Sequence, residues 1–233
     1  DLATMRHIPW LEKTVLVLGD VLDHHSHEPV SHSPRAMLKK QVARLDAMGF
    51  DAMMATELEF FLFEGDYRTL QKQKYANLVP LNGHNEDYCL FQTTKEESFL
   101  QPLRNHLVAA GIPIECTKGE AEVGQQELNI RYADALACAD NHTISKQAVK
   151  EIAFQQGFSA SFLPKWAADK VGSSSHVHMS LWKDGAPAFY DKEAKLGMSR
   201  MMQHFMASLI AYAPDITYFF APYINSYKRF AKG

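Results

Sequence analysis

Two glutamates alternate with apolar residues in the segment ELEFFLF, residues 57–63. Successive side chains of a β-strand point to opposite faces, so Glu57 and Glu59 would share one face and Leu58, Phe60 and Leu62 the other. Two carboxylates on one face of an apolar strand are costly to desolvate unless cations hold them. The spacing therefore indicates a metal site, although an exposed strand end would explain the same two glutamates.

A second segment, residues 175–182, places His176, His178 and Ser180 on one face of another strand. Histidines at alternate strand positions can bind a metal ion. A polar strand face with one hydrogen-bonded histidine would explain the same pair. The segment is thus a candidate ligand source that needs support from other residues.

A third segment, residues 120–127, carries acidic residues around Gly124. In the strand that follows, alternation would put Glu127, Asn129 and Arg131 on one face. The same alternation would put Leu128, Ile130 and Tyr132 on the other.

Three strands with one polar face each predict a single polar cleft. Carboxylates with a histidine and no thiolate suit Mg²⁺ or Mn²⁺ better than zinc. Two such ions would bind a polyphosphate and polarise the group that is transferred. The chain contains neither of the common glycine-rich phosphate-binding motifs, so bound cations would have to hold a nucleotide's phosphates.

The composition excludes several classes of protein. Of the 233 residues 46% are apolar and 22% charged, and the net charge of -3 favours neither nucleic acid nor a membrane surface. The three cysteines include no CxxC pair, which argues against a disulfide framework and against a thiolate zinc site. Because no apolar run is long enough to cross a bilayer and no signal peptide is evident, a cytoplasmic location is expected.

The elements that must position these residues are strands interleaved with helices. Predicted strands cover residues 14–18, 57–63, 112–115, 128–132, 159–163 and 175–182. Predicted helices cover residues 34–48, 98–110, 133–158 and 198–213, with Pro214 ending the last, and residues 67–87 are predicted to be irregular. Without a strict βαβ rhythm, this order predicts an α+β fold with a mainly antiparallel sheet and helices on its outside.

Four motifs in this order resemble those of the glutamine synthetase superfamily: residues 57–61, 120–127, 172–181 and 225–229. The resemblance runs over nearly the whole chain. It implies that residues 1–233 form a partial glutamine synthetase catalytic domain, with a curved sheet. It also implies that the family's N-terminal β-grasp domain and C-terminal portion are absent from this sequence.

The resemblance implies a role for each polar residue. The metal ligands would be Glu59, Glu120 and Glu127 at a first site, and Glu57 and His176, with a further acid, at a second. ATP would be contacted by Glu115, Tyr132, His178 and Ser180. Glutamate would be held by the backbone at Gly172 and by Arg229, which would also serve catalysis.

The implied activity is an ATP-dependent ligase. ATP would phosphorylate the γ-carboxylate of glutamate, and ammonia or an amine would then displace phosphate. The implied cofactors are ATP and two or three Mg²⁺ or Mn²⁺ ions, and the implied assembly is a homo-oligomer. Two alternatives remain open: a catalytically inactive relative with a structural or regulatory role, and a metal-dependent hydrolase built on the HxH pair.

Two departures from the usual family motifs bear on the amine. Residues 171–176 read VGSSSH where glutamine-forming members usually carry NGSGMH, and residues 162–166 read FLPKW instead of FMPKP. Both variants are similar to those of γ-glutamyl-amine ligases that act on polyamines, alkylamines or anilines. The residues alone do not choose among these amines.

Overall fold

The computed structural model describes residues 1–230, which contain seven α-helices and eight β-strands. The helices are α1 (Pro34–Ala47), α2 (Tyr67–Lys72), α3 (Leu90–Thr94), α4 (Glu97–Ala109), α5 (Ala135–Gln155), α6 (Arg200–Phe220) and α7 (Ile224–Lys228). The strands are β1 (Arg6–His7), β2 (Val15–Leu16), β3 (Asp51–Glu64), β4 (Ile114–Gly119), β5 (Gln125–Asp134), β6 (Phe158–Ser161), β7 (Ser175–Lys183) and β8 (Ala186–Pro187). None of these helices is both long enough and apolar enough to cross a bilayer.

Strand β3 is the centre of a six-stranded sheet in the order β4-β5-β3-β7-β8. The sixth strand, β6, pairs with the end of β3 beyond the last residue that pairs with β7. Every pairing in this sheet is antiparallel. The architecture confirms the predicted α+β class with a mainly antiparallel sheet.

The main hydrophobic core lies between one face of the sheet and helices α4 and α5. Phe60 and Leu62 from β3 and Leu128 from β5 are fully buried there, against Leu103 of α4 and Val149 of α5. Fully burying one such side chain stabilises the fold by about 1.5–3 kcal/mol. Because these residues hold β3 and β5 against the helices, the alternate positions of both strands face the opposite side of the sheet.

Several predicted boundaries differ from those in the structure. Strand β3 begins at Asp51 rather than Glu57, and β4 begins at Ile114 and continues to Gly119. The segment predicted to be irregular contains α2, which begins at Tyr67 and has Asp66 as its N-cap. The Asp66 carboxylate accepts a hydrogen bond from Thr69 N at 2.7 Å, so a side-chain cap offsets the short length of this helix.

The prediction that Pro214 ends the last long helix was wrong, because α6 continues to Phe220. A proline inside a helix leaves the carbonyl group four residues earlier without its N–H donor. Here that carbonyl belongs to Ile210, which is 74% exposed, and no residue of α6 is buried. Water can therefore satisfy the carbonyl group, and the helix continues.

Candidate functional site

The predicted metal ligands of β3, β5 and β7 lie side by side on one face of the sheet. Glu59 pairs with Glu127, and Glu57 pairs with both Asn129 and His176. One ligand atom from each of Glu57, Glu127 and His176 lies within 4.8 Å of the other two. We call the five predicted ligands the acidic cluster: Glu57, Glu59, Glu120, Glu127 and His176.

Glu57 contacts both histidines of the HxH pair. Its Oε2 atom lies 2.7 Å from Nδ1 of His176, and its Oε1 atom lies 2.7 Å from Nε2 of His178. The hydrogen bond with His176 has the largest effect and lowers the pKa of Glu57. Partial burial opposes it, and the hydrogen bond with His178 lowers the pKa further. His178, which was predicted to contact ATP, thus touches a predicted metal ligand.

Glu59 is held rigidly from the β6–β7 connection and from β5. Its Oε2 atom accepts hydrogen bonds from Ser174 N at 2.9 Å and from Gln125 Nε2 at 3.1 Å, and its Oε1 atom accepts one from the Ser174 hydroxyl. A carboxylate offers about four acceptor positions, so one remains for an ion. The roles of Gln125 and Ser174 were missed from the sequence, although both lie inside the motifs singled out there.

Glu127 is the most buried ligand of the cluster, at 7% exposed. Burial raises its pKa, a hydrogen bond from Asn129 partly offsets that rise, and the charges of Glu120, Glu57 and Glu59 raise it further. Within residues 1–230 the ligand atoms that lie within 4.8 Å of one another are those of Glu57, Glu127 and His176, and neither Glu59 nor Glu120 is part of this closest group.

Glu120 occupies the turn between β4 and β5 and forms an ion pair with Lys118. Lys118 Nζ lies 2.8 Å from Glu120 Oε1 and 2.6 Å from Asp87 Oδ1. Burial alone would lower the pKa of Lys118, but its hydrogen bonds to Asp87 and Glu120 raise it. No sequence pattern marks this lysine except its position two residues before Glu120.

The donor set fits a hard divalent cation. Four carboxylates and an imidazole supply oxygen and nitrogen ligands without a thiolate, which is the chemistry preferred by Mg²⁺ and Mn²⁺. Like charges this close favour protonation of one member unless a cation neutralises them. The cluster therefore has the donor chemistry that a divalent ion needs.

The four residues predicted to contact ATP lie toward one end of the same strands. His178 pairs with Ala55 and Ser180 with Met53, so both follow Glu57 along β3 toward Asp51. Glu115 lies at the register shift of the β4–β5 ladder, between Ile114 and Cys116. His178 and Ser180 therefore extend from the acidic cluster along β7, on the side away from Glu59.

Tyr132 does not share the buried face of Leu128 and Ile130, so that expectation was wrong. Tyr132 is 62% exposed, whereas Leu128 and Ile130 are at most 1% exposed. The β3–β5 register shifts between Met54 and Thr56, which adds a residue to β5 at this point. Such a bulge reverses the alternation beyond it and turns Tyr132 toward the face of the acidic cluster.

Gly172 and Arg229 are in contact, as a shared role in substrate binding would require. A Cβ atom on Gly172 would lie 2.6 Å from the Pro164 carbonyl oxygen and 2.7 Å from Arg229 Cγ, so only glycine fits. Asn225, four residues before Arg229, joins this region to Lys165, the residue after Pro164. Its side chain accepts a hydrogen bond from Lys165 N at 2.9 Å and donates one to Lys165 O at 2.8 Å.

A cavity of about 450 Å³ extends from Arg229 to the acidic cluster. Its lining includes Glu59, Ser174, Lys146 and Phe162. The guanidinium group of Arg229 forms no ion pair within residues 1–230. The cavity thus offers a cation for a carboxylate next to candidate metal ligands.

Residues 31–233 match the sequence model of the glutamine synthetase catalytic domain. The chain belongs to the glutamine synthetase family. This family member is 38% identical over 234 residues to a gamma-glutamylethanolamide synthetase of Streptomyces coelicolor, a match that covers 100% of the chain and 50% of that relative. It is 35% identical over 232 residues to a glutamate–isopropylamine ligase of a Pseudomonas species, covering 99% of the chain and 50% of the relative.

The fold agrees with a solved glutamine synthetase-like structure, a complex of GmaS with ADP. The TM-score is 0.87 at 28% sequence identity, and the match covers 98% of this chain and 51% of GmaS. This likeness confirms the predicted glutamine synthetase-like fold. This family member spans about half the length of the curated relatives it matches.

Proposed function

We propose that the intact protein is an ATP-dependent ligase that joins the γ-carboxylate of glutamate to ammonia or an amine. The observation that carries this proposal is the convergence of Glu57, Glu127 and His176, whose ligand atoms lie within 4.8 Å of one another. Relatives that cover the whole chain are named for γ-glutamyl amide formation with ethanolamine and for ligation of glutamate to isopropylamine.

The acidic cluster would hold Mg²⁺ or Mn²⁺, with Glu59, Glu120 and Glu127 at one site and Glu57 and His176 at another. When bound, these ions supply the positive charge that offsets the charge of the ATP phosphates and of the transferring phosphoryl group. The ADP complex of GmaS supports nucleotide binding to this fold.

The remaining residues would bind and orient the two substrates. Glu115, Tyr132, His178 and Ser180 would contact the nucleotide at the end of the sheet that borders the cluster. Arg229 and the backbone at Gly172 would hold glutamate, and the cavity between Arg229 and Glu59 has room for it. The γ-carboxylate would take the phosphoryl group, and the amine would then displace phosphate. We propose further that the intact protein forms a homo-oligomer and is located in the cytoplasm.

The direct test is phosphate release by the intact protein supplied with ATP, Mg²⁺, glutamate and a panel of amines. The panel includes ammonia, ethanolamine, isopropylamine, a polyamine and an aniline. We expect release that requires both glutamate and one of these amines. Glu57→Gln should reduce the rate by about 10²–10³-fold, the scale for losing a preorganised electrostatic contact.

The matched control is Glu64→Gln, because Glu64 is exposed at the far end of the same strand. This variant should retain the wild-type rate. Release without any glutamate dependence, or ester hydrolysis by the same protein, would favour the hydrolase reading and contradict the proposal. A folded protein that releases no phosphate with any amine would contradict it equally.

A further inference from the structure

The hydroxyl group of Ser174 lies between the two predicted metal sites. It donates a hydrogen bond to Glu59 Oε1, and the backbone N of the same residue donates to Glu59 Oε2 at 2.9 Å. The same Ser174 Oγ atom lies 3.2 Å from Nε2 of His176. One side chain therefore contacts both a ligand of the first site and a ligand of the second.

The direction of each hydrogen bond follows from the groups involved. A carboxylate only accepts, so the hydroxyl hydrogen of Ser174 points to Glu59. The Ser174 oxygen must then accept the hydrogen of His176 Nε2. A neutral imidazole carries one hydrogen, so the other ring nitrogen, Nδ1, presents a lone pair.

That lone pair faces another acceptor. His176 Nδ1 lies 2.7 Å from Glu57 Oε2. Without an ion, a hydrogen between the two atoms makes this contact the hydrogen bond described above. A bound ion would replace that hydrogen and accept a lone pair from each atom, so the ring orientation that Ser174 supports suits Nδ1 as a ligand beside Glu57.

We infer, given the proposed ion-binding role, that Ser174 is a positioning residue that fixes the tautomer and orientation of His176 and couples it to Glu59. Side chains that hydrogen-bond to a metal-binding histidine through its second nitrogen commonly contribute this way to metal affinity. The glycine at this position of the NGSGMH motif has no hydroxyl group. The link that the Ser174 hydroxyl group makes between Glu59 and His176 therefore depends on the sequence SSS of this chain, residues 173–175.

The test compares Mn²⁺ affinity among variants of the intact protein by isothermal titration calorimetry. Ser174→Ala should weaken Mn²⁺ binding by about 10-fold, the lower end of the range for losing such a partner. Ser174→Thr keeps the hydroxyl group at a position that lines the cavity, and it should bind Mn²⁺ with an affinity close to that of the wild type. Ser175→Ala is the matched control, because Ser175 is exposed and its side chain forms no hydrogen bond within residues 1–230.

The outcomes separate a hydroxyl-specific role from a steric one. Wild-type affinity in Ser174→Ala would overturn the inference while leaving the proposed function standing. Equal weakening in Ser174→Thr and Ser174→Ala would overturn it as well, since the hydroxyl group would then not be the cause. Wild-type protein that binds no Mn²⁺ would overturn the proposed function and this role together. Thermal unfolding of each variant, expected to match that of the wild type within a few degrees, establishes that the fold is intact.

Discussion

Glu127 carries the electrostatic cost of the acidic cluster most directly. It is buried and experiences the negative charges of three other carboxylates, and each of these conditions raises its pKa. A cation bound at this point would favour the charged form of Glu127 and offset the repulsion. The arrangement of charges that destabilises the protein without bound ions is therefore the same arrangement that favours ion binding.

Glu86 is a second buried acid, outside the cluster but linked to β5. Burial raises its pKa to about 7, and a hydrogen bond from Gln126 Nε2 only partly offsets this effect. The Oε1 atoms of Glu86 and Gln126 have no hydrogen-bond partner among the described residues. A protonated Glu86 carries no buried negative charge, so we expect a neutral carboxyl group below pH 7.

The titration of Glu86 should make stability pH-dependent. The unfolded chain releases this proton near the ordinary value of 4.5, and the folded protein near 7, so the folded state binds more protons between these values. The stabilisation is complete below pH 4.5 and is lost as the pH rises to 7. Relative to Glu86→Gln, the wild-type free energy of unfolding should fall across this window by up to about 3 kcal/mol.

Urea denaturation at pH 5 and pH 8 measures this difference. Glu86→Gln is neutral at both values and keeps the shape of the side chain. Glu193→Gln, at an exposed position, is the control and should follow the wild type. If wild type and Glu86→Gln show the same pH dependence, Glu86 is not protonated in the folded protein.

At the scale of elements, the end of β4 holds Glu120 in place through a close backbone contact. A Cβ atom on Gly119 would lie 2.6 Å from Thr93 Oγ1 and 2.9 Å from the Glu86 carbonyl oxygen. Gly119 thus lets β4 approach the segment that carries Glu86 and α3. Lys118 and Glu120, its two neighbours, form the ion pair on the other side of this contact.

Gly119→Ala should force these segments apart and move Glu120 away from Glu127. We expect a loss of about 1–3 kcal/mol in the free energy of unfolding, the usual cost of overpacking, together with weaker Mn²⁺ binding. Gly83→Ala serves as the control, because no atom lies within 4 Å of a Cβ atom at that position. Equal stability of the two variants in urea would contradict the close contact at Gly119.

The elements also show how far the sequence alone could lead. The shared face of Glu57 and Glu59 was predicted correctly, because a two-residue period is a local property of a strand. The exposure of Tyr132 was not, because the bulge in β5 depends on its register with β3. The bonds that join Ser174 to Glu59 span 115 positions in sequence, so no local pattern could predict them.

At the scale of the whole molecule, the sheet brings together ligands that are far apart in the sequence. Glu57, Glu127 and His176 come from three different strands, and their convergence depends on β3 lying between β5 and β7. The order of the motifs predicted the family, and the family model and the GmaS structure confirm it. Both the family and the geometry therefore support the central proposal, that the acidic cluster binds divalent ions beside a nucleotide.

Anomalous X-ray scattering from crystals of the intact protein grown with Mn²⁺ and ADP tests this claim most directly. We predict manganese peaks at metal–ligand distance, about 2.0–2.3 Å, from carboxylate oxygens of Glu57 and Glu127 and from Nδ1 of His176. Manganese bound only elsewhere on the protein, with these three side chains hydrogen-bonded to one another instead, would contradict it.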